Sequence, residues 1–516
     1  MVSEINKVVI VGGGTAGWIT AGILAAKLNT PQQKLIDISV IESPDIPAIG
    51  VGEGTWPTMR DTLKSMGINE GEFLSQCDAS FKQGSKFIGW LNGEANDAYY
   101  HPFSLPTKFH EINLAPYWYE HKSTHNFAST VCHQPALCEQ NLAPKQITAP
   151  QYAFAANYGY HLDAGKFAPF IRNHCTERLG VNHISDEVTA IKSHPNGAIE
   201  SVVTKRHGTV KGDLFIDCSG LHGLLIDKHF EVPFNSVKQY LFNDSALAMQ
   251  VPYRDEDSPI LSTTNATAQD CGWIWDIGLQ SRRGVGHVFS SAHADVSRVE
   301  QNLRHYLAQS VGTKVSESLE FRQLSINPGY RRQLWVENCV AVGLSAGFVE
   351  PLEASAIALI ELSAKYIASQ FPQNPSHMAI IARRFNEKFE QRWHQVVEFL
   401  KLHYVLSNRR DSDYWQDACS AETQPESLKE KLQLWQHQAP YHFDSVHTEE
   451  LFPAASNQFI YYGMMAETNF AMPAKQTQYA HQLFDDNQQL SRKLVAAMPS
   501  NRELLNKIRQ HGLAKI

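Results

Sequence analysis

A glycine-rich turn near the N-terminus carries the clearest chemistry in the sequence. Gly12-Gly13-Gly14-Thr15-Ala16-Gly17 satisfies the pattern G-x-G-x-x-G, follows the apolar run Val8–Val11 and precedes a helical pattern. Such glycines let backbone amides approach a pyrophosphate at a helix N-terminus, and an acid ending the next strand can accept the ribose hydroxyls. The sequence therefore predicts a dinucleotide site with these contacts: Gly12, Gly14, Thr15, Ala16, Gly17 and Glu42.

The elements that must position this turn alternate between strand and helix, and the fold class is therefore predicted as α/β. The predicted strands are 8–11, 36–41, 181–191, 199–205 and 211–220, with a β-sheet layer over 240–325; the predicted helices are 15–29, 163–179, 353–408 and much of the chain after 410. Residues 90–150 are rich in His, Tyr, Pro and Asn and have weak periodicity, which predicts an irregular insertion packed on the core.

Composition excludes several classes of protein. The chain has 516 residues, 43% hydrophobic and 19% charged, which is typical of a globular enzyme, and its net charge of -8 argues against nucleic acid as a partner. It has no apolar run of about 18 residues, and its N-terminus lacks the layout of a secretory signal, so we expect no membrane span and a cytoplasmic location. Eight cysteines without a CxxC pair favour reduced thiols, and no metal site is expected.

A longer set of motifs resembles one enzyme family. Residues 47–57 read P-A-I-G-V-G-E-G-T-W-P, which is similar to the I-G-V-G-E-x-T-x-P loop of the flavin-dependent tryptophan halogenases. The similarity continues through Phe81-Lys82, residues 100–103 (Y-H-P-F), 273–277 (W-I-W-D-I) and 347–353 (G-F-V-E-P-L-E). These matches extend from residue 8 to about 360, with a weaker match near 457–473.

The resemblance implies an FAD-binding Rossmann-like domain of the glutathione-reductase and aromatic-hydroxylase type, interwoven with the β-sheet layer. Residues 1–365 would form this module, with substrate elements inserted at about 90–150, and residues 366–516 a mainly helical region that covers the substrate. Residues 213–220 resemble the second strand-and-turn contact of FAD monooxygenases, which favours FAD over NAD. The further flavin contacts that we expect are Gly50, Val51, Gly52, Glu53, Val188, Asp217, Gly343 and Leu344.

Two side chains match the catalytic pair of that family. Lys82 corresponds to the lysine that receives hypohalous acid, either hydrogen-bonding it or becoming a haloamine; an ammonium can polarise the acid, and a buried amine is a nucleophile. Lys86 is an equally basic alternative on sequence alone. Glu353 corresponds to the glutamate that stabilises the cationic ring intermediate and removes its proton, while Glu350 and Glu361 are the competing carboxylates.

The halide site departs slightly from the family pattern. After the glutamate the family reads Ser-Thr-Gly, whereas this chain reads Ala354-Ser355-Ala356. The residues stay small, so backbone amides at Ser355 and Ala356 are the predicted halide donors at a helix N-terminus. The choice between chloride and bromide stays open.

The substrate side is predicted from aromatic residues. His101 and Phe103 match the pair that encloses the indole in tryptophan-specific members. Flat aromatic rings suit this function because they stack on an indole. Phe459, Tyr461 and Tyr462 are further candidates for the pocket wall. We find no partner for an amino-acid head group, so tryptophan, bare indole and a larger aromatic compound all stay open.

The implied reaction is halogenation that uses FADH2, oxygen and a halide ion. The sequence has no second glycine-rich motif that could bind NADPH, so a separate flavin reductase is expected to supply FADH2 by diffusion. A homodimer is one of the assemblies left open. In the family signature W-x-W-x-I-P, Trp273 and Trp275 are present but Gly278 replaces the proline. That change supports the first alternative, an FAD-dependent aromatic hydroxylase; the second is an FAD-binding protein without catalytic activity.

Overall fold

The computed structural model describes residues 5–30, 32–45, 52–94, 96–444, 450–469 and 471–514. The strands are β1 Lys7–Val11, β2 Asp37–Glu42, β3 Gly52–Gly54, β4 Ser80–Lys82, β5 Gly84–Ile88, β6 Ala98–Pro102, β7 Gly159–Asp163, β8 Asn182–Ser185, β9 Val188–Ser193, β10 Ile199–Thr204, β11 Gly208–Lys211, β12 Leu214–Asp217, β13 Phe234–Ser236, β14 Ser245–Pro252, β15 Thr264–Gln269, β16 Gly272–Gly278, β17 Arg282–Phe289, β18 Phe321–Ser325, β19 Gly329–Arg331, β20 Trp335–Val336, β21 Cys339–Ala341 and β22 Gly347–Phe348.

The α-helices are α1 Thr15–Leu28, α2 Thr58–Ser65, α3 Glu70–Gln76, α4 Ala115–His121, α5 Phe127–Val131, α6 Gln134–Glu139, α7 Ala164–Arg178, α8 Val296–Val311, α9 Thr313–Ser318, α10 Ser355–Ser369, α11 Met378–Val405, α12 Asp413–Cys419, α13 Glu426–Trp435, α14 Ala454–Gly463, α15 Ala474–Ala497 and α16 Asn501–His511. None of the described helices is long and apolar enough to cross a membrane.

A six-stranded sheet, in the order β20-β21-β12-β1-β2-β8, forms the nucleotide-binding layer. Strands β21, β12, β1, β2 and β8 run parallel, so their carboxyl ends meet at one edge. Parallel strands are buried on both faces, which explains the apolar run in β1. The predicted βαβ unit is confirmed, with β1, α1 and β2 within one residue of the expected bounds, and the fold class is α/β of the Rossmann-like type.

A second sheet of seven strands, in the order β18-β14-β17-β16-β15-β5-β6, provides the layer predicted over 240–325. Two findings differ from the sequence interpretation. Helices α8 and α9 interrupt the predicted stretch, and β6, from the region expected to be irregular, pairs antiparallel with β5. The strand reads Ala-Tyr-Tyr-His-Pro, and Tyr is a good strand former, but a His-Pro end hides the pattern.

A small sheet, β3-β7-β4, connects the two larger layers. Its register pairs Gly54 and Ser80 with the same residue, His161, on opposite sides of β7. Lys82 is therefore held at the end of the short edge strand β4, on the same side of the sheet as Ser80. The strands of these sheets alternate along the chain, so the two larger layers are interwoven in sequence.

Candidate active site

The glycine turn after β1 has the geometry of an anion site. Helix α1 begins directly after Gly14. Because glycine has no side chain to cap the helix, the first backbone amides of the helix stay available. A Cβ placed on Gly14 would have no neighbour within 4 Å, whereas one on Gly17 would lie 1.9 Å from the oxygen of Gly12. The turn is therefore tightly packed at Gly17 but has open space at Gly14, next to the helix N-terminus.

The residues around this space fit a dinucleotide. Glu42 ends β2, and its side chain lies over Gly13, where an added Cβ would come within 2.4 Å of it. A Cβ on Gly343 would lie 2.7 Å from the Cβ of Ala16, so the 343–345 turn reaches the start of α1. An open, uncapped helix N-terminus with an acid at the end of the next strand matches the phosphate and ribose groups of FAD.

The other predicted flavin contacts occupy different environments. Glu53 lies in β3, and burial together with the nearby charge of Asp163 raises its pKa to about 7. Val188 begins β9 and packs in the cluster that contains the ends of β1 and β2, and Leu344 lies in the turn beside Ala16. Gly52 starts β3, while Gly50 and Val51 lie outside the described residues.

Asp217 ends β12, but its carboxylate is already used inside the protein. It accepts hydrogen bonds from the Ser219 amide and hydroxyl and from the amides of Leu225 and Ile226. The side chain is fully buried. Its evident function is to shape the turn after β12, and a direct flavin contact stays a prediction.

Lys82 is a buried cation at the end of β4. Its Nζ lies 5.5 Å from the centroid of the Phe103 ring and 3.0 Å from the position of a Cβ on Gly54. Burial lowers its pKa to about 8, although the charge of Glu353 acts in the opposite direction. The lysine therefore keeps most of its charge at neutral pH but can lose its proton at modest cost.

Glu353 lies in a strained turn before α10. Its φ is 64° and that of Ala354 is 54°, two left-handed non-glycine residues in succession, a conformation that surrounding structure must hold in place. The Trp56 indole Nε1 donates to the Glu353 carbonyl oxygen at 2.8 Å and fixes the turn. The backbone thus aims the carboxylate away from the helix and into the interior.

The Glu353 carboxylate is surrounded by donors. Oε1 lies 2.8 Å from His101 Nδ1 and 3.4 Å from His403 Nε2, and the Ser85 hydroxyl donates to Oε2 at 3.4 Å. Burial alone would raise the pKa of Glu353, but the charge and hydrogen bond of His101, with His403 nearby, outweigh it and hold the pKa well below its usual range. The carboxylate is therefore an anion in a nearly closed site.

Lys82 and Glu353 reach the same interior cavity. Its lining includes Lys82, Ser85, Thr264, Trp273, Glu353 and Ala354. Trp273 is almost fully buried in β16 and forms one wall, while Trp275 covers Gly286 in the same sheet. A cation and an anion that line one small interior space can act on the same small polar molecule.

The competing residues lie elsewhere. Lys86 forms an ion pair with Glu139 at 2.9 Å, near the surface. Glu350 is buried and accepts hydrogen bonds from Trp273 Nε1 at 3.1 Å and from the Tyr404 hydroxyl at 2.9 Å, so it supports the cavity wall. Glu361 accepts from the threonines of α2, Thr58 and Thr62, outside the cavity lining.

The predicted substrate residues separate into two groups. His101 is the second-last residue of β6, and its ring lies 5.7 Å from that of Phe399 and 6.1 Å from that of Phe459, while Phe103 faces Lys82. Tyr461 instead packs on Trp435 and donates to the Glu467 carbonyl, and Tyr462 packs on Phe127 and Trp118. The structure therefore brings Phe459, but neither tyrosine ring, into contact with His101.

The predicted halide residues stand at the N-terminus of α10. Ser355 is the first residue of the helix, and Ala354, which lines the cavity, precedes it with no side-chain cap. The amides of Ser355 and Ala356 are thus free of helical partners at the end of the helix that attracts anions. Gly278, which replaces the family proline, is closely packed: a Cβ there would lie 2.9 Å from the Leu261 amide nitrogen.

Sequence reasoning missed His403, Tyr99, Ser85, Ser456 and Trp56. His403 lies in α11 on the same face as Phe399, a spacing that usually marks a core histidine. Nothing in the sequence connects it to Glu353. Only the packing of α11 against β5 and β6 reveals the contact.

The chain is similar to known proteins over most of its length. A family model described as tryptophan halogenase matches residues 7–479. The tryptophan 7-halogenase of Lentzea aerocolonigenes is 33% identical over 546 residues, covering 99% of this chain and 100% of the relative. The tryptophan 6-halogenase of Streptomyces albogriseolus is 34% identical over 465 residues, covering 85% and 83%.

Solved structures are similar over the whole chain. A tryptophan halogenase from Shewanella frigidimarina superimposes with a TM-score of 0.97 at 49% identity, covering 100% of this chain and 99% of that one. A flavin-dependent halogenase from Brevundimonas gives a TM-score of 0.86 at 31% identity, covering 98% and 99%. Taken with the glycine turn and the shared lysine–glutamate cavity, these matches place the chain in the tryptophan halogenase family, as a flavin-dependent halogenase.

Proposed function

We propose that this enzyme halogenates an electron-rich aromatic ring, tryptophan or a related indole, with hypohalous acid relayed to Lys82 and with Glu353 as the base. One observation carries the proposal: the Lys82 ammonium and the Glu353 carboxylate line the same cavity in the interior. Lys86 and Glu361, which the sequence alone left open, lie outside its lining.

The cofactor in this proposal is FAD, supplied as FADH2 by a separate flavin reductase. Bound FADH2 with oxygen would convert halide into hypohalous acid. The residues that would hold it are the 12–17 turn for the pyrophosphate, Glu42 for the ribose, and the neighbouring turn at 343–345. The amides of Ser355 and Ala356 would hold the halide ion.

The side chains account for the atoms of the transfer step. The Lys82 ammonium donates to the oxygen of hypohalous acid, the oxygen–halogen bond breaks, and the ring carbon forms its bond to the halogen. The hydroxide takes the Lys82 proton and leaves as water. The ring proton passes to Glu353, which returns it to Lys82, so both residues regain their starting charges.

The aromatic wall supports a flat substrate. Phe103 lies beside Lys82, and the His101 and Phe459 rings lie within 6.1 Å of each other on the side of Glu353. The curated relatives are named for tryptophan, and tryptophan and indole are accordingly the first compounds to test. The ring position stays open.

The test is mass spectrometry of tryptophan and indole after incubation with the enzyme, a flavin reductase, NADH, FAD and either chloride or bromide. We expect a halogen isotope pattern from the wild type and its loss in Lys82→Ala. Lys86→Ala is the matched control, because that lysine is also basic but pairs with Glu139, and it should retain the product. A product heavier by one oxygen, formed equally by Lys82→Ala, would contradict halogenation and favour the hydroxylase.

A further inference from the structure

A histidine and a tyrosine lie next to Glu353 but are not in the lining of the cavity. His403 lies in α11 and Tyr99 in β6, and both are at most 2% exposed. The Tyr99 hydroxyl and His403 Nδ1 are 2.7 Å apart, and His403 Nε2 is 3.4 Å from Glu353 Oε1. The three residues thus form a continuous row: Tyr99, His403, Glu353.

The direction of the hydrogen bonds follows from the protonation of Tyr99. Burial, with the nearby charge of Glu353, raises the pKa of its phenol well above the usual value, so the hydroxyl keeps its proton and donates to Nδ1. Burial also lowers the pKa of His403, which is then neutral and carries one ring proton. That proton must sit on Nε2, facing the carboxylate.

The position of the His403 ring is fixed by aromatic neighbours. Its centroid lies 4.5 Å from that of Phe87 and 5.5 Å from that of Phe399, and Tyr99 stacks on Phe87 at 4.7 Å. Nε2 is buried and, among the described residues, has no well-aligned hydrogen-bond partner; the Glu353 carboxylate is the acceptor it faces. The 3.4 Å distance is long for a hydrogen bond, and catalytic hydrogen bonds of this kind tighten in the transition state.

We propose that His403, held in its Nε2–H tautomer by Tyr99, is a positioning residue that keeps the Glu353 carboxylate ionised and turned toward the ring carbon. This rests on the proposed function of Glu353 as the base. The groups facing the carboxylate are Lys82 from β4, His101 and Tyr99 from β6, and His403 from α11. His403 acts through Glu353 and is not among the residues that line the cavity.

His403→Phe and His403→Gln separate this function from packing. Phenylalanine keeps the aromatic contacts but loses both nitrogens. Glutamine loses the ring but can accept from Tyr99 and donate to Glu353. The measured quantity is halogenated product per flavin oxidised, together with hypohalous acid captured by an added thioether. Flavin oxidation should stay unchanged in both variants.

In His403→Phe we expect product per flavin to fall by about ten- to a hundredfold, the size of a lost hydrogen bond to a charged group, with more captured acid. His403→Gln should retain product within about threefold of the wild type, the range of ordinary context effects. The acid limb of the pH profile should move to higher pH in His403→Phe alone, since a carboxylate that loses a donor is protonated at higher pH. Equal losses in both variants, or none in either, would overturn the proposal.

A second measurement needs no turnover. Ring ¹⁵N chemical shifts of His403 in the protein should show an unprotonated Nδ1 and a protonated Nε2. Tyr99→Phe should remove that preference. This variant is a milder change and serves if His403→Phe fails to fold. A wild-type Nδ1–H tautomer would refute the proposal. Absence of product from the wild-type enzyme would instead refute the proposed function, so the two failures are distinguishable.

Discussion

Replacing Glu353 by glutamine tests the catalytic geometry most directly. The change keeps the shape of the side chain but removes the charge. The wild-type carboxylate accepts from His101 and Ser85 and faces His403, so all of its neighbours here are donors. A glutamine oxygen can satisfy some of them, but its amide NH2 must then face a donor instead of an acceptor.

The expected loss of rate is large. Removing a general base costs about 10²- to 10⁴-fold, or about 3–5 kcal/mol of barrier. The change should also cost some stability near neutral pH. Because the folded pKa of Glu353 lies below its unfolded value, its ionised form stabilises the fold above that unfolded value, and this stabilisation disappears as the pH falls through the folded pKa.

The assay is product formed per flavin oxidised, with thermal unfolding measured in parallel. Glu361→Gln is the matched control, since Glu361 is also a buried carboxylate but bonds to Thr58 and Thr62 rather than lining the cavity. It should keep nearly full activity. If Glu353→Gln stayed within about threefold of the wild type, well inside the range for a lost base, the assignment of Glu353 would be wrong.

Three further predictions follow. Product formation should decline as the pH rises through about 8, the pKa of Lys82, because the ammonium is the proposed donor; a rate that climbs through this pH would favour the amine. Gly14→Ala should weaken FAD binding, measured by fluorescence titration, without changing the melting temperature, because its Cβ meets only open space. Gly17→Ala, with a Cβ 1.9 Å from the Gly12 oxygen, should also destabilise the fold. Equal effects of the two variants on both properties would contradict this. Lys145→Met should lower the free energy of unfolding in urea by about 3–5 kcal/mol, because it removes the buried ammonium that pairs with Glu70 at 2.7 Å, and adding Glu70→Gln should restore part of the loss.

The position of His101 shows why the sequence interpretation of the substrate wall was incomplete. A histidine beside a proline and a phenylalanine predicts a flat surface for an indole. In the structure its Nδ1 contacts Glu353 and its Nε2 contacts the Ser456 hydroxyl at 2.9 Å. The same ring therefore has a polar function that depends on α14 and the turn before α10, two elements far apart in the sequence.

The sequence alone determined the local features. Residues 12–17 and Glu42 predict a dinucleotide site because a strand, a turn and a helix follow one another directly, and periodicity marks β1, α1 and α11. It could not foresee strand β6, because pairing with β5 decides whether an aromatic stretch ending in His-Pro becomes a strand.

Only the tertiary structure decided which charged residues work together. Lys82 and Lys86 are alike in sequence, as are Glu350, Glu353 and Glu361, and resemblance alone chose between them. Position separates them physically: Lys82 and Glu353 line the cavity, while Lys86 pairs with Glu139, Glu350 accepts from Trp273, and Glu361 accepts from the threonines of α2. The interactions that set the charge of Glu353 join β5, β6 and α11, and contacts over such distances leave no periodic trace in the sequence.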